Sequence, residues 1–347
     1  MKLNFVIYRR LKSKPSILFI ADYPNWAFHN IYRSISLRLN SLFNFRIYFT
    51  SLKKRKYNQR LLEYGYDIVW LCYPTDKTYL KLKVKPNCLI KEVASWRWKD
   101  NYLSTEDFIK SDLTDANYIS CPSKELYSEL SKYTKNVVYI PNGVEDGFFI
   151  RNINLKQPSE GLRFGWVGNS KDPVKNFYEV KKLQDEGLKI IIAENLNLFK
   201  LRDFYKSIDV LLITSKSESQ PLPFLEALSS GCSVVTRPVG IVPEFKSFDN
   251  VVIVPFEESI LEAIKNTNIS LNTMNQQNDI LSLNSWDKTV YIYIQFFKGV
   301  LSHNVDFNRF NDRYNILNDN DSEITIPKIK YKAMVYLDWL KYGNTKI

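Results

Sequence analysis

The chain is 347 residues long, which suits two domains of roughly 150 residues each. Hydrophobic residues make up 45% and charged residues 24%, so the composition is that of a globular protein and excludes disorder as its main state. The four cysteines show no CxxC spacing and there are two histidines, which excludes a disulfide framework, a zinc knuckle and a histidine-rich metal site. No apolar run approaches the roughly 18 residues of a membrane span and no signal sequence stands at the start, so we predict a soluble cytoplasmic protein.

Positive charge is concentrated near the start of the chain. The whole chain carries a formal charge of +11, and residues 1–60 alone hold thirteen lysines and arginines against one acid, Asp22. The basic clusters at 9–14 and 53–56 would each attract phosphate, so an anionic membrane surface or a nucleic acid is a candidate partner. The alternative is a solvated basic surface without a partner.

The first 150 residues alternate between strands and helices. The apolar run at 16–21 predicts a buried strand, and after a turn at 23–25 a helix carries apolar residues every fourth position. Those residues are Ala27, Ile31, Ile35 and Leu39. Further strands are predicted at 67–73, 88–94, 118–122 and 137–143. Strands alternating with helices indicate a parallel sheet with right-handed crossovers, so residues 1–150 form a Rossmann-like domain.

The alternation of strands and helices starts again after a polar segment near 150–160, which we predict to be the domain boundary. Predicted strands lie at 162–168, 189–193, 209–214, 233–238 and 250–255. Predicted helices lie at 175–187, around 201–208 and from Pro223 onward, the first of them ended by Gly187. Residues 151–285 are therefore a second doubly wound domain.

Two further segments complete the chain. The helix expected within 286–301 is aromatic on several sides and is therefore predicted to be buried between surfaces. Residues 302–347 are an appendage with helical spacing at 326–343, for which packing on the same chain ranks above dimerisation or contact with a membrane.

The stretch SESQPLPFLEALSSG at 217–231 places two glutamates on either side of a restarted helix. Glu218 follows a strand at the carboxyl edge of the sheet, where ligands bind in such folds. Pro223 suits the first turn of a helix, and the N–H groups of Phe224 and Leu225 are expected to be free for a phosphate. Glu226 can then accept from a sugar hydroxyl. The alternative is that Glu226 only favours the first turn electrostatically and Glu218 is a loop acid.

This stretch resembles the signature of retaining GT-B glycosyltransferases of family GT4. The resemblance lies in the E-x7-E spacing from Glu218 to Glu226 and in the sequence EALSSGCSVVTRPVGIVPEF that starts at Glu226. FGWVGNSKDPVKN at 164–176 looks like the strand and loop of that family that carry a lysine for the donor. VVYIPNGVEDGFF at 137–149 looks like its interdomain segment. The three segments occur in family order and cover the second domain better than the first.

The resemblance implies roles for individual residues. Lys175 would bind the donor diphosphate, Glu218 would hold hydroxyls of the transferred sugar, and Glu226 would hold the ribose. A cation with helix N–H donors is what a departing nucleoside diphosphate requires, although in isolation a solvated lysine would be the simpler reading of Lys175. The positions expected to lie against the donor are Gly168, Asn169, Lys171, Leu222, Phe224, Leu225 and Gly240. The positions expected along the cleft are Asn142 and Gly143.

The chain also departs from the family pattern. Asn169 follows Gly168 where the family often has arginine, which leaves Lys171 as a substitute cation. The glycine-rich loop usual after the first strand is missing, so the acceptor side resembles the family less. Asp22 and His29 follow that strand and are candidate acceptor contacts, the alternative being that His29 is a partly exposed helix histidine.

The sequence therefore predicts an α/β protein with a GT-B arrangement of two Rossmann-like domains. The expected activity is metal-independent, retaining transfer of a sugar from a UDP- or GDP-linked donor, without a cofactor. The expected acceptor is a glycan or lipid-linked molecule in bacterial surface polysaccharide or glycolipid assembly, met at an anionic membrane surface through residues 1–60. The alternatives are a GT-B protein that only binds glycan and a nucleic-acid-binding protein; the latter leaves the E-x7-E spacing and Lys175 unexplained.

Overall fold

A computed structural model describes residues 14–52, 65–76, 80, 84, 86–102, 104–145, 161–267, 269 and 284–311. Its strands form two separate parallel sheets, one in each half of the chain. The boundary at 150–160, the basic clusters at 9–14 and 53–56 and the helix expected at 326–343 lie outside the described residues, except for Lys14.

The N-terminal sheet has six parallel strands in the order β2-β1-β3-β4-β5-β6. The strands are β1 (Ser16–Ala21), β2 (Asn44–Phe49), β3 (Tyr66–Leu71), β4 (Pro86–Glu92), β5 (Tyr118–Cys121) and β6 (Val137–Tyr139). Every residue of β1 is buried, as expected for a parallel strand covered on both faces. The sequence analysis missed β2. This edge strand exposes Arg46 and half-exposes Asn44, so it lacks the continuous apolar run that marked its neighbours.

In the described part of the N-terminal half, helices connect β1 to β2, β4 to β5 and β5 to β6. They are α1 (Ala27–Leu39), α2 (Thr105–Phe108), continued by a π-helical turn Ile109–Leu113, and α3 (Lys124–Leu130), with a short 3₁₀ helix Arg97–Asp100 before α2. In α1, Ile31, Ile35 and Leu39 are buried as their spacing predicts, whereas Ala27 in the first turn is exposed. Ser104 and Ser123 cap α2 and α3 through their side chains.

The C-terminal sheet has five parallel strands in the order β11-β10-β9-β7-β8. The strands are β7 (Phe164–Val167), β8 (Ile190–Ala193), β9 (Val210–Ile213), β10 (Ser233–Thr236) and β11 (Val251–Ile253). The helices are α4 (Phe177–Asp185), α5 (Leu198–Ser207), α6 (Leu222–Ser229) and α7 (Ile260–Asn266), with 3₁₀ helices Pro173–Lys175 and Val242–Phe245. One apolar cluster joins α5 and α6 to one face of the sheet, and another joins α4 and α7 to the opposite face. This two-sided packing is that of a doubly wound domain.

A last long helix, α8 (Trp286–Leu301), packs on the N-terminal sheet rather than on the sheet that precedes it. Its Tyr293 and Phe297 pack against Trp70 of β3, with ring centroids 5.8 Å apart in each pair. Phe310, in a short 3₁₀ helix Arg309–Asn311 beyond α8, is buried against Phe296 of the same helix. The chain therefore returns to the N-terminal half after completing the second sheet.

The chain passes between the two halves twice, once near Val144 and once near Trp286. These two crossings lie side by side. The Val144 N–H donates to the Asn284 carbonyl oxygen and the Trp286 N–H donates to the Val144 carbonyl oxygen, each at 2.8 Å. A Cβ added to Gly143 would lie 2.8 Å from the Trp286 backbone, so glycine is required for this close approach.

Arg38 of α1 fastens both crossings to the N-terminal half. Its Nη2 lies 2.8 Å from Glu145 Oε2 and its Nε lies 2.6 Å from Asp287 Oδ1. The Ser34 hydroxyl donates to the other Glu145 oxygen at 2.6 Å. Because Glu145 is buried, removal of Arg38 would leave its carboxylate without this counter-charge in the interior, whereas removal of Glu145 would leave Arg38 paired with Asp287.

Candidate functional site

The loop after β9 is tied to the 3₁₀ helix that precedes α4. The Trp166 indole Nε1 donates to Thr214 Oγ1 at 3.2 Å, and the Thr214 hydroxyl donates to the Lys175 carbonyl oxygen at 2.9 Å. The Lys216 N–H donates to the Val174 carbonyl oxygen at 2.9 Å. Two loops at the carboxyl edge of the C-terminal sheet are thereby held against each other.

These contacts bring Lys175 to Glu218. Lys175 Nζ lies 2.5 Å from Glu218 Oε1, and the side chains are 25% and 15% exposed. The expected helix over 175–187 is wrong at its start. Lys175 ends a 3₁₀ helix capped by Asp172, Asn176 takes a left-handed conformation at φ 50°, and α4 begins only at Phe177. The break leaves Lys175 outside α4, in the turn that faces the loop of Glu218.

Glu226 lies in α6, one helical turn beyond Pro221. The Tyr205 hydroxyl of α5 donates to Glu226 Oε2 at 2.8 Å. Burial raises the pKa of Glu226 to about 7, and the hydrogen bond from Tyr205 opposes that rise. Near neutral pH this carboxyl is therefore poised between its protonated and ionised forms.

Helix α6 begins one residue earlier than the sequence suggested. Pro221 is its N-cap residue, Leu222 is half-buried at its first position, and Pro223 lies in the first turn, where its missing N–H costs no hydrogen bond. Phe224 and Leu225 have buried side chains in the core of the C-terminal half. The expectation of a free N–H is wrong for Phe224, which donates to the Pro221 carbonyl oxygen at 2.9 Å.

Two glycines allow the backbone to approach closely at this edge. Gly240 has φ +57°, and a Cβ there would lie 1.9 Å from the Ser219 carbonyl oxygen. A Cβ on Gly168 would lie 2.9 Å from the Trp166 ring. Gly240 therefore supports the loop of Glu218 directly, and Gly168 supports the loop after β7.

The loop after β7 also contains Asn169 and Lys171, which were predicted to contact the donor. Asn169 and Lys171 are exposed, and the Lys171 N–H donates to Asn169 Oδ1 at 3.1 Å. Asn169 thus stabilises a turn that presents Lys171 to solvent. The loop also carries Asp172, the cap of the 3₁₀ helix that ends at Lys175.

Residues of the N-terminal half, and Asn142 in the first crossing, contact the carboxyl edge of the C-terminal sheet. Gln220 makes two hydrogen bonds to the Asn142 backbone, accepting from its N–H at 2.6 Å and donating to its carbonyl oxygen at 2.8 Å. The Ser219 hydroxyl donates to the Ser123 hydroxyl at 3.2 Å, and Arg97 forms an ion pair with Asp172. The carboxyl edges of the two sheets therefore face each other beside Lys175 and Glu218, and the boundary between these facing edges is called the cleft below.

Asn142 and Gly143 lie in the crossing rather than on an open wall of the cleft. Asn142 is buried, and its Oδ1 accepts from the Tyr293 hydroxyl at 3.2 Å. Gly143 packs on Trp286 as described above. Both residues therefore fix the relative position of the two halves.

On the N-terminal side, Asp22 and His29 are both buried and differ in their hydrogen-bond partners. His29 is 0% exposed, and its Nδ1 accepts from the Asn25 N–H at 2.8 Å. The prediction that His29 faces the cleft is therefore wrong, and so is the alternative of a partly exposed histidine. The buried ring instead stabilises the turn before α1 through its hydrogen bond from Asn25. Asp22 is 8% exposed, and its Oδ2 accepts from the Tyr73 hydroxyl at 2.8 Å.

Sequence reasoning missed several residues of this site. Tyr205, Thr214 and Gln220 each contact a predicted site residue, yet their partners are 21, 39 and 78 positions away in the chain. The only sequence signal was the Gln220-Pro221 pair within the E-x7-E stretch.

Among the described residues, no group of three or more His, Cys, Asp or Glu side chains is placed to hold a metal ion. Within the same part of the chain, no helix is long and apolar enough to cross a membrane.

Comparison with known proteins places this geometry in context. Residues 142–267 match the family model described as "Glycosyl transferases group 1". The matched segment contains Lys175, Glu218 and Glu226, and it supports glycosyl transfer as the class of reaction. No curated protein sequence matches the chain significantly.

Solved structures show the same arrangement over most of the chain. Sucrose-phosphate synthase from Thermosynechococcus elongatus aligns with 84% of this chain and 100% of its own, at 12% identity and a TM-score of 0.66. HepE from Anabaena, in complex with UDP, aligns with 82% of this chain and 100% of its own, at 13% identity and a TM-score of 0.58. The fold is GT-B. The catalytic domain of starch synthase IV from Arabidopsis thaliana, bound to ADP and acarbose, aligns with 84% of this chain and 100% of its own, at 11% identity and a TM-score of 0.56. The expectation of a GT-B fold, stated from the sequence, is confirmed.

Proposed function

We propose that this chain is a retaining glycosyltransferase of the GT4 type, which moves a sugar from a nucleoside diphosphate sugar to an acceptor hydroxyl. The observation that carries the proposal is the Lys175–Glu218 pair at the carboxyl edge of the C-terminal sheet, with Glu226 on the adjacent helix. All three residues lie within the segment that matches the group 1 family model.

Lys175 is proposed to bind the donor diphosphate. Its ammonium group is the cation nearest to Glu218, and its backbone is fixed by the bond from Thr214 and by the Asp172 cap. A cation held in this way stabilises the negative charge that grows on the departing nucleoside diphosphate. Exposed Lys171, on the loop after β7, is a second cation for the same phosphates.

The two glutamates are proposed to hold the two sugars of the donor. Glu218 can exchange its bond from Lys175 for bonds from hydroxyls of the transferred sugar. Glu226 can accept from ribose hydroxyls, because one of its oxygens already accepts from Tyr205 and the carboxyl is thereby oriented. The three side chains then contact three parts of the donor, namely the diphosphate, the transferred sugar and the ribose.

The proposed step is a front-face displacement at the anomeric carbon. The acceptor oxygen forms a bond to that carbon, and the bond from the carbon to the phosphate oxygen breaks. The hydroxyl proton passes to the departing phosphate, so the step needs neither a protein base nor a protein nucleophile, and Lys175 rather than a metal ion is proposed to neutralise the phosphate. The work of the protein is then to position the reactants and to stabilise the phosphate.

The donor is proposed to be UDP- or GDP-linked. HepE from Anabaena has been solved in complex with UDP-glucose, with 11% identity to this chain.

The proposed acceptor is a glycan or lipid-linked molecule of bacterial surface polysaccharide or glycolipid assembly, with residues 1–60 on an anionic membrane surface. Four of the thirteen basic residues of that segment are described, and each is hydrogen-bonded within the fold: Lys14, Arg33, Arg38 and Arg46. The membrane proposal therefore depends on the remaining nine.

The experiment that tests the reaction is release of nucleoside diphosphate from a panel of UDP-, GDP- and ADP-sugars. We expect the wild-type protein to consume one of these donors faster than Glu218→Gln does. Lys216→Ala is the matched control, since this exposed lysine stands two positions before Glu218 in the same loop. Equal rates for wild type and Glu218→Gln, or no release above buffer from any donor, would contradict the proposal.

A further inference from the structure

Exposed aromatic side chains cluster at the carboxyl edge of the N-terminal sheet. Trp26 is 47% exposed and Tyr73 is 39% exposed. The ring centroids of Tyr23 and Trp26 lie 4.5 Å apart, and those of Phe28 and Tyr73 lie 5.0 Å apart. Tyr23 and Phe28 are half-buried, and these four residues form the aromatic patch. Two large rings exposed to water beside two half-buried ones mark a candidate ligand surface.

The aromatic patch borders the cleft between the two halves. Tyr23 and Trp26 follow β1 and Tyr73 follows β3, and these two strands are paired in parallel. Their carboxyl ends share one edge of the sheet with Arg97, which pairs with Asp172 of the C-terminal half. The patch thus lies on the opposite side of the cleft from Lys175 and Glu218.

Asp22 has an unmet hydrogen-bonding capacity beside the patch. Its Oδ2 accepts from the Tyr73 hydroxyl at 2.8 Å. Its Oδ1 is buried and has no hydrogen-bond partner in the part of the chain that the structure describes. A buried carboxylate oxygen without a donor is costly, so this position favours a ligand that brings a hydroxyl.

The unpartnered oxygen selects the kind of ligand. Asp22 Oδ1 can accept a hydrogen bond but cannot donate one, and the nearby cation Arg97 is already paired with Asp172. A sugar hydroxyl supplies the donor that this oxygen lacks, whereas a phosphate anion would bring a like charge to the carboxylate.

We propose that the aromatic patch binds a neutral sugar residue of the acceptor, with the apolar face of the ring on Trp26 and one hydroxyl donating to Asp22. The inference rests on the proposed glycosyltransferase function, whose donor site lies across the cleft. The C–H groups on one face of a pyranose ring meet the negative face of an aromatic ring, and its hydroxyls supply donors to a carboxylate. If the acceptor is lipid-linked, its phosphate lies away from the patch.

The test is saturation-transfer NMR with the full chain and three neutral probes, the methyl glycosides of glucose, galactose and N-acetylglucosamine. Glucose 6-phosphate is the charged comparison. We expect at least one neutral glycoside to bind through its ring C–H protons, with a Kd about tenfold weaker in Trp26→Ala. Asp22→Asn is expected to weaken the same glycoside. Glucose 6-phosphate is expected to bind more weakly than the neutral probes.

Tyr133→Ala is the matched control, since Tyr133 is a 46% exposed aromatic that follows α3 at the opposite edge of the sheet. Tyr23→Ala is a second patch variant, used if Trp26→Ala does not fold. The proposal is overturned if no neutral glycoside binds, or if patch and control variants lose the same affinity. Titration of UDP, GDP and ADP into the same samples separates the two proposals. Nucleotide binding without glycoside binding overturns the patch alone, and glycoside binding at Trp26 without nucleotide binding overturns the donor site alone.

Discussion

Lys175 Nζ lies 2.5 Å from Glu218 Oε1, so the residues proposed to hold the phosphate and the sugar of the donor are paired with each other. A nucleotide sugar that occupies the site must separate them, because each side chain then binds a different part of the donor. The ion pair keeps both side chains oriented toward one point in the cleft. Neither charge is left without a partner before the donor arrives.

The first prediction concerns this pair. Glu218→Gln removes the charge that competes with phosphate for Lys175, so the Kd for the nucleoside diphosphate is expected to stay the same or fall. Donor turnover is expected to fall about 10²- to 10³-fold, because the contact with the transferred sugar is weakened. Calorimetry and turnover on the same preparation measure the two effects. If Glu218→Gln weakens nucleotide binding as much as Lys175→Ala does, the assigned roles are wrong.

The second prediction is a pH dependence of nucleotide binding. Glu226 accepts ribose hydroxyls best when ionised, and burial raises its pKa to about 7. Affinity should therefore rise as the pH passes through about 7. Tyr205→Phe removes a donor to the carboxylate, so it should raise the pKa further and move the midpoint to higher pH.

The measurement for Glu226 is Kd from roughly pH 5.5 to 8.5, a range in which the terminal phosphate of the nucleotide also titrates. Glu226→Gln is the control, because it keeps the phosphate titration and removes that of the carboxyl. Identical pH profiles for wild type and Glu226→Gln would show that Glu226 does not contact the nucleotide.

The third prediction concerns Gly240. Gly240→Ala places a methyl group within 1.9 Å of the Ser219 carbonyl oxygen at a residue with φ +57°, so the loop of Glu218 must shift. We expect a loss of about 2–4 kcal/mol in the free energy of unfolding, together with a loss of donor binding. Gly161→Ala is the control for backbone strain, since Gly161 has φ +65° with no atom of the described residues within 4 Å of the added Cβ, and about 1 kcal/mol is expected there. Equal shifts in Tm for the two variants would contradict the close approach.

The fourth prediction concerns the buried acid Glu92 of β4. It is 5% exposed and accepts from the Trp70 indole at 3.0 Å. Burial raises its pKa from 4.5 to about 7, and the hydrogen bond from Trp70 opposes that rise. The folded state therefore holds this proton more tightly than the unfolded state does, and stability should fall as the pH rises from 4.5 to about 7. The loss is on the order of 3 kcal/mol.

Glu92→Gln tests this, because the amide keeps the shape without an ionisable proton. Its free energy of unfolding should exceed that of the wild type by more at about pH 8 than at about pH 5. Chemical denaturation at the two pH values measures the difference. Parallel pH profiles for the two proteins would assign the pH dependence to other groups.

Much of the fold could be predicted from the sequence because buried parallel strands are continuous apolar runs. SILFIA at 16–21 and VLLI within 209–214 are such runs, and both are central strands. The edge strand β2 was missed because its outward residue, Arg46, interrupts the apolar pattern. The start of α4 was misplaced because Asn176 takes a left-handed conformation that its neighbours in sequence do not dictate.

The candidate site was predictable only in part. The family-like spacing predicts Lys175, Glu218 and Glu226 as donor contacts, but the contacts they make in the fold depend on side chains that approach from other loops. The ion pair joins residues 43 positions apart, and Gln220 contacts a backbone 78 positions away, which no local pattern encodes. His29 was misjudged because its helical position is apparent from sequence, whereas its burial beneath the turn at Asn25 depends on tertiary packing.

The most direct test of the donor site is calorimetric titration of UDP, GDP and ADP into wild type, Lys175→Ala and the control Lys216→Ala. We predict that one nucleoside diphosphate binds the wild type and Lys216→Ala with similar affinity, and that Lys175→Ala binds it at least about tenfold more weakly. If no nucleotide binds the wild type, or if Lys175→Ala binds it as well as the control does, the carboxyl edge at Lys175, Glu218 and Glu226 is not a nucleotide-sugar site.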